Sequence, residues 1–219
     1  PNDDKYTRGV VGVVAGSPPY PGAGVLCSGA ARLGGAGMVR YAGSASDVVI
    51  NRWPEIVVAA DGPATAGRVE AWVLGPGAGT DEAATAHLTQ ALESQVLVVI
   101  DADGLTLLSQ DSSLREMIAT RHASGLATVI TPHAGEFARL GFTLPQGCAA
   151  NRIGAVRDAA ASLGAVVLLK GHETVVAEPS GSAFVNTLSD SCLATAGSGD
   201  VLSGLLGSLL AAETARIGQ

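Results

Sequence analysis

The feature that most constrains this chain is a recurring unit: a short, almost unbroken apolar run that ends in a glycine-rich or polar loop. Residues 10–15, 56–60, 71–74, 96–100, 127–130 and 165–169 are such runs. A strand with one wet face alternates apolar and polar residues, whereas a strand covered on both faces does not. Between the runs, residues 24–33, 81–93 and 149–162 read as helices. The alternation of strand and helix predicts an α/β fold with a mostly parallel central sheet and helices on both faces. No repeat or low-complexity tract interrupts it, so residues 1–219 are expected to form a single domain.

Composition narrows the function classes. Hydrophobic residues make up 47% and aromatics only 4%, so the core must be built from Ala, Val and Leu. The 29 glycines imply many tight turns or close backbone approaches. A net charge of −7 argues against nucleic acid as the main partner. Cys27, Cys148 and Cys192 form no Cys-x-x-Cys pair, which excludes a disulfide framework or a zinc site and leaves them inert. Their use fits a reducing, cytoplasmic setting. Residues 9–31 carry no charge, but prolines and glycines break the run, so no membrane span is expected. No signal peptide is visible, and a start at Pro1 reads as that of an incomplete chain.

The chemistry-bearing residues follow the strands, where open α/β sheets bind ligands. Gly75-Pro76-Gly77-Ala78-Gly79 reads equally as a plain turn or a phosphate-binding loop. Asp103 reads first as the cap of a helix starting near Gly104. His133, with Glu136 three residues on, is either structural or a holder of metal, water or substrate. Lys170-Gly171, followed by Thr174, offers a cation, exposed amides and a hydroxyl together, which suits phosphate. Finally, Gly197-Ser198-Gly199-Asp200 opens an apolar helix. Asp200 there is a cap or a base, and the two glycines favour an anion hole beside a base.

Taken in order, "AGSPPYPGAG", "LGPGAGTD", "DADGL", "TPHAGE", "KGHET" and "ATAGSGDVLSG" resemble the ADP/ATP-dependent NAD(P)H-hydrate dehydratases of the ribokinase-like superfamily. The resemblance runs from about Lys5 to Leu210. It implies a metabolite-repair enzyme that dehydrates hydrated NADH or NADPH, with ADP or ATP as co-substrate and Mg²⁺. The ring hydroxyl is phosphorylated and phosphate then leaves. By the same resemblance Asp200 is the base, and the amides of Gly197, Ser198 and Gly199 stabilise the transferring phosphoryl group. Lys170, Gly171, His172, Glu173, Thr174 and Gly199 correspond to nucleotide contacts. Ala23, Gly79, His133 and Asp200 correspond to hydrate contacts, and Glu136 to a carboxylate near Mg²⁺. The resemblance also implies a homo-oligomer, a tetramer of dihedral symmetry, and an epimerase acting in the same pathway.

The chain departs from the family's pattern at residues 186–192, which lack its usual Gly/Asn/Pro-rich loop, and at residues 213–219, where further helices normally follow. Two other readings stay open at this point. A vitamin-precursor kinase of the same fold would keep Asp200 and the anion hole but release a stable phosphorylated product. A non-catalytic nucleotide-binding module would not need Asp200.

Overall fold

A computed structural model describes residues 4–145, 149–187 and 191–217. The elements follow in chain order. The first are β1 (Val10–Val14), α1 (Pro21–Leu33), β2 (Met38–Tyr41), α2 (Ser46–Arg52), β3 (Val57–Val58), β4 (Ala71–Leu74) and α3 (Glu82–Glu93). Then come β5 (Leu97–Ile100), α4 (Asp103–Gln110), α5 (Ser112–Ala123), β6 (Thr128–Ile130), α6 (Ala134–Arg139) and α7 (Ala149–Leu163). The last are β7 (Val166–Leu169), β8 (Thr174–Ala177), β9 (Ala183–Asn186) and α8 (Ser198–Ile217). Among the described residues nine strands join one sheet in the order β3-β2-β1-β4-β5-β6-β7-β8-β9. Pairing is parallel from β3 through to β7, and β8 and β9 add antiparallel.

The apolar runs of β1 and β4 through β7 are buried because two cores flank the sheet, whereas the run at 56–60 yields only the edge strand β3, with Val57 and Val58 exposed because no further strand or layer among the described residues covers them. Trp72, Leu74, Val98 and Ile100 face a core with α3, α4, α5 and α7. Ala71, Val73 and Val99 face the other way, with Cys27 and Ala31 of α1, Val49 of α2 and Ala211 of α8. Successive strand residues therefore serve opposite layers. At 25 cal/mol per Å², each fully buried Val or Leu contributes about 1.5–3 kcal/mol, offset by the conformational entropy of ordering the chain. Gly12 sits in mid-strand because the Trp72 ring lies against it and would meet any Cβ.

Several elements were not legible as strands or had other bounds. β2, β8 and β9 follow no continuous apolar run, because residues of β2 and β8 alternate between buried and partly exposed positions and those of β9 between partly exposed and exposed ones. Thr174, expected in a loop, opens β8. α1 starts at Pro21, three residues before the expected start, with proline in the first turn where its missing N–H costs nothing. Residues 213–217 continue α8. Among the described residues no helix is long and apolar enough to cross a membrane.

Chain order reverses direction at β1. The chain steps outward through β2 and β3, then returns to pair β4 on the other side of β1. The carboxyl ends of β1 and β4 through β7 share one edge, so residues 16–20, 75–79, 101–103, 131–133 and 170–173 gather there. The ladder continues past the strand ends: Gly75 N donates to Val14 O (3.0 Å), Asp101 N to Leu74 O (3.0 Å), Thr131 N to Ile100 O (3.1 Å), and Lys170 N to Pro132 O (2.8 Å).

Candidate active site

Strand alternation decides which loop side chains meet. Val99 faces the α1/α8 layer, so Asp101, two residues on, faces it too. Val129 and Val166 share that layer, and Lys170 keeps the same parity as Val166. α8 crosses beneath them, and its first turn carries Gly199 and Asp200. A Cβ built on Gly199 would lie 3.5 Å from Lys170 Nζ and 3.7 Å from Asp101 Oδ2, so the helix opening packs onto this pair. Gly197 takes φ +87°, a left-handed turn that suits glycine, with the Leu26 side chain against it.

Asp101 is the hub. It is 1% exposed. Its Oδ1 accepts from Lys170 Nζ (2.7 Å) and from Ala102 N (2.9 Å), and its Oδ2 accepts from Ser203 Oγ (2.8 Å). Lys170 Nζ also lies 3.8 Å from Glu136 Oε2. Asp200, by contrast, accepts no hydrogen bond from any described residue. Burial pushes its carboxyl above the usual carboxylate range. The negative charge of Asp101 adds to this, and Lys170 opposes it. A carboxylate raised by burial and left unpaired at a helix opening is a candidate proton acceptor. Cys27 lies fully buried near the same carboxylates, and burial first, then Asp200 and Asp101, push its thiol far up, so it stays a neutral, inert thiol.

His133 and Glu136 are tied to each other. His133 Nδ1 accepts from Gly135 N (2.9 Å) and Glu136 N (3.3 Å), while Glu136 Oε2 accepts from His133 N (2.7 Å). This capping box opens α6. The exposed imidazole keeps Nε2 at the loop surface, 3.5 Å from Glu136 Oε1. Among the described residues no three His, Cys, Asp or Glu side chains converge as a metal cage. The oxygen donors of Glu136 and Asp200 fit a hard divalent ion held chiefly by phosphate oxygens and water.

Asp103 does not cap α4. The cap position is Ala102, with φ 47° and no side-chain cap. Asp103 Oδ2 instead accepts from Gly79 N (2.9 Å), tying the 75–79 loop to α4. The tight path of that loop explains why: Gly75 takes φ +115°, and a Cβ there would collide with the Asp101 carbonyl. Ala23 lies in the first turn of α1 against Gly77, and Gly16 N donates to Pro76 O (2.7 Å), so the β1 and β4 loops form one wall. Beside it opens a cavity of about 250 Å³ lined by Ser17, Pro18, Ser44, Gly79, Asp81 and His87 among others. Gly171 and His172 are exposed in the turn between β7 and β8, where Thr174 Oγ1 donates to Gly171 O (3.4 Å).

Sequence reasoning missed three residues here. Asp101 was passed over for Asp103, although its place directly after a buried strand was a usable signal. Ser203 and Arg152 gave none. Arg152 reaches from α7 to donate to Lys170 O (3.3 Å), and its Nε is buried without a partner. Cys148 falls outside the described residues.

The mostly parallel sheet, layered by helices and closed by an antiparallel edge, defines a ribokinase-like α/β protein. A family model described as NAD(P)H-hydrate dehydratase matches residues 11–218, and the chain belongs to that family. It is 56% identical over 211 residues to the bifunctional NAD(P)H-hydrate repair enzyme Nnr of Mycobacterium tuberculosis, covering 96% of this chain and 42% of that protein. The chain thus spans about two fifths of the length of that curated relative. It is 44% identical over 214 residues to the ADP-dependent (S)-NAD(P)H-hydrate dehydratase of Neisseria meningitidis, covering 94% of this chain and 71% of that one. Among solved structures it is similar to the ADP/ATP-dependent NAD(P)H-hydrate dehydratase of Bacillus subtilis, co-crystallised with ATP/Mg²⁺. That likeness has a TM-score of 0.77 at 25% identity and covers 99% of this chain and 78% of the other.

Proposed function

We propose that this chain dehydrates hydrated NADH and NADPH back to the reduced dinucleotides, using ADP or ATP as phosphoryl donor. The observation that carries the reading is Asp200: a half-buried carboxylate without a hydrogen-bond donor among the described residues, at the opening of α8 and beside Lys170. Asp200 takes the proton of the ring hydroxyl as its oxygen attacks the terminal phosphorus of the nucleotide. The bond from phosphorus to the bridging oxygen breaks, leaving the nucleotide one phosphate shorter. The amides of Gly197, Ser198 and Gly199 and the α8 N-terminus stabilise charge on the phosphoryl oxygens, and Lys170 holds the donor. Mg²⁺ bound to the nucleotide would neutralise phosphate charge, with Glu136, whose Oε2 lies 3.8 Å from Lys170 Nζ, as the protein carboxylate on that side. The ring nitrogen's lone pair then expels phosphate, a far better leaving group than hydroxide, and a proton leaves the neighbouring ring carbon.

Residues 170–174 and Gly199 form the nucleotide side of this proposal. Ala23, Gly79 and His133 form the hydrate side. The name of the Neisseria relative supports ADP as donor, and that of the Bacillus structure admits either nucleotide. A cytoplasmic setting and an epimerase acting on the same substrate complete the reading. We also take the working form to be a homotetramer, supported by exposed apolar residues such as Leu33 (67% exposed) and Leu209 (56% exposed). Light scattering that gives a 21.8 kDa monomer at micromolar concentration would contradict it. The decisive assay mixes hydrated NADH with ADP or ATP and follows the return of NADH absorbance. Accumulation of a stable phosphorylated product instead would identify a kinase.

A further inference from the structure

We infer that Asp101 is a positioning residue for phosphoryl transfer, its buried carboxylate fixing the Lys170 ammonium relative to the first turn of α8. The inference rests on the function proposed above and assigns a role to a residue that function does not use. At 1% exposure Asp101 cannot meet a substrate, so it acts through the groups it holds.

Those groups come from two distant parts of the chain. Lys170 lies 69 residues away and Ser203 lies 102 residues away. One carboxylate therefore ties the end of β7 to α8. Ser203 is fully buried and sits three residues after Asp200, on the same helix face. A buried ion pair is seldom more stabilising than well-packed apolar side chains, so stability alone does not account for an acid at this place. Geometry does. A free lysine samples many rotamers, and an ammonium with one of its three protons on Asp101 has two left for an anion. The Lys170 side chain is 22% exposed, enough to present them. The charged neighbours of the pair are Glu136, at 3.8 Å from Lys170, and Asp200. Asp101 thus fixes the cation through a 2.7 Å bond, with Glu136 at 3.8 Å as the second carboxylate beside it.

The test compares Asp101→Asn, Ser203→Ala and the double variant. ADP affinity is measured by calorimetry, and kcat and KM by recovery of NADH from its hydrate, with Tm recorded alongside. Asp101→Asn is expected to weaken ADP binding about tenfold or more and to lower kcat, since a charge-assisted contact is lost. Ser203→Ala is expected to lower kcat severalfold while leaving ADP affinity within about twofold, because it releases only the α8 arm. The double variant should match Asp101→Asn alone, since both changes act through one carboxylate. Asp101→Asn with ADP affinity and kcat near wild type, whatever its Tm, overturns the inference. If that variant does not fold, an unchanged kcat in Ser203→Ala overturns it. Wild-type protein that binds ADP but restores no NADH sinks the functional proposal, and the calorimetric series then decides Asp101 alone. If the wild type binds neither ADP nor ATP, both fall.

Discussion

The two halves of the sheet edge are built from different materials. At the ends of β5, β6 and β7 the contacts are made by charged side chains: Asp101, Lys170 and Glu136, with Asp200 across from them. At the ends of β1 and β4 they are made by backbone and small residues. There Gly16 bonds Pro76, Gly79 bonds Asp103, and Ala23 packs on Gly77, beside a cavity of about 250 Å³. A charged, pre-set cluster suits a ligand whose charge changes during reaction, because its dipoles need not reorganise. A concave wall of backbone and small side chains suits the bulk of an organic ring system. Under the proposed function, the charged half is the expected seat of phosphoryl transfer, and the small-residue half, together with His133, that of the hydrate.

The strongest way to break that contrast is Asp200→Asn. If Asp200 is the base, folding and ADP affinity persist while NADH recovery falls roughly 10²-fold or more. Near-normal recovery would return Asp200 to the role of a cap, for which Asn is nearly as good. Next in size is Lys170→Ala. It should weaken nucleotide binding by about 1.5–3 kcal/mol while leaving the KM for the hydrate much less affected. Equal losses on both ligands, read by calorimetry and steady-state kinetics, would erase the division.

Asp103→Ala sharpens the other half. It removes the acceptor of Gly79 N and loosens the 75–79 wall, at about 0.5–1.5 kcal/mol or more if the amide stays buried and unpaired. The hydrate KM is expected to rise severalfold with ADP affinity unchanged, and the reverse pattern would reassign that loop to the nucleotide.

The smallest effects are in pH. The folded Asp200 carboxyl is raised above its ordinary value of 3.8 by burial first and Asp101 second. A raised carboxyl contributes stability that is fully present below the unfolded value and is lost as pH rises through the folded one. Asp200→Asn should therefore have a Tm at or above wild type at neutral pH, with the difference disappearing in acid. For activity the sign is opposite, because the base must be ionised: turnover rises with pH through the raised value. Lys170→Met removes the charge that opposes the shift, so the acid limb of kcat should move to higher pH. A limb that moves down would mean that another group titrates.

Much of this was legible before the fold was known. Residues 96–100 and 165–169 had to be buried strands because only a two-layered sheet covers unbroken apolar runs. The loops after them therefore had to share an edge once the strands ran parallel. Lys170 stood out because a cation, exposed amides and a hydroxyl stand together after a strand, and Asp200 because two glycines precede it at a helix opening. The edge hairpin β8–β9 was not legible, since its residues alternate and Phe184 is 73% exposed. Asp103 misled because a residue at a helix start resembles a cap, and only its 2.9 Å bond from Gly79 N shows where the side chain goes.

What the sequence determined by itself was the kind of fold and the chemical vocabulary of each loop, because periodicity and residue type are local properties. What only the tertiary structure decided was which of those residues meet. Asp101, Lys170 and Ser203 lie far apart in the chain and converge through strand register and the layer in which α8 packs. A shift of one residue in β5 would turn Asp101 toward the opposite layer and leave Lys170 without its partner. Register and layer are set by the packing of the whole sheet, and no single stretch of sequence encodes them.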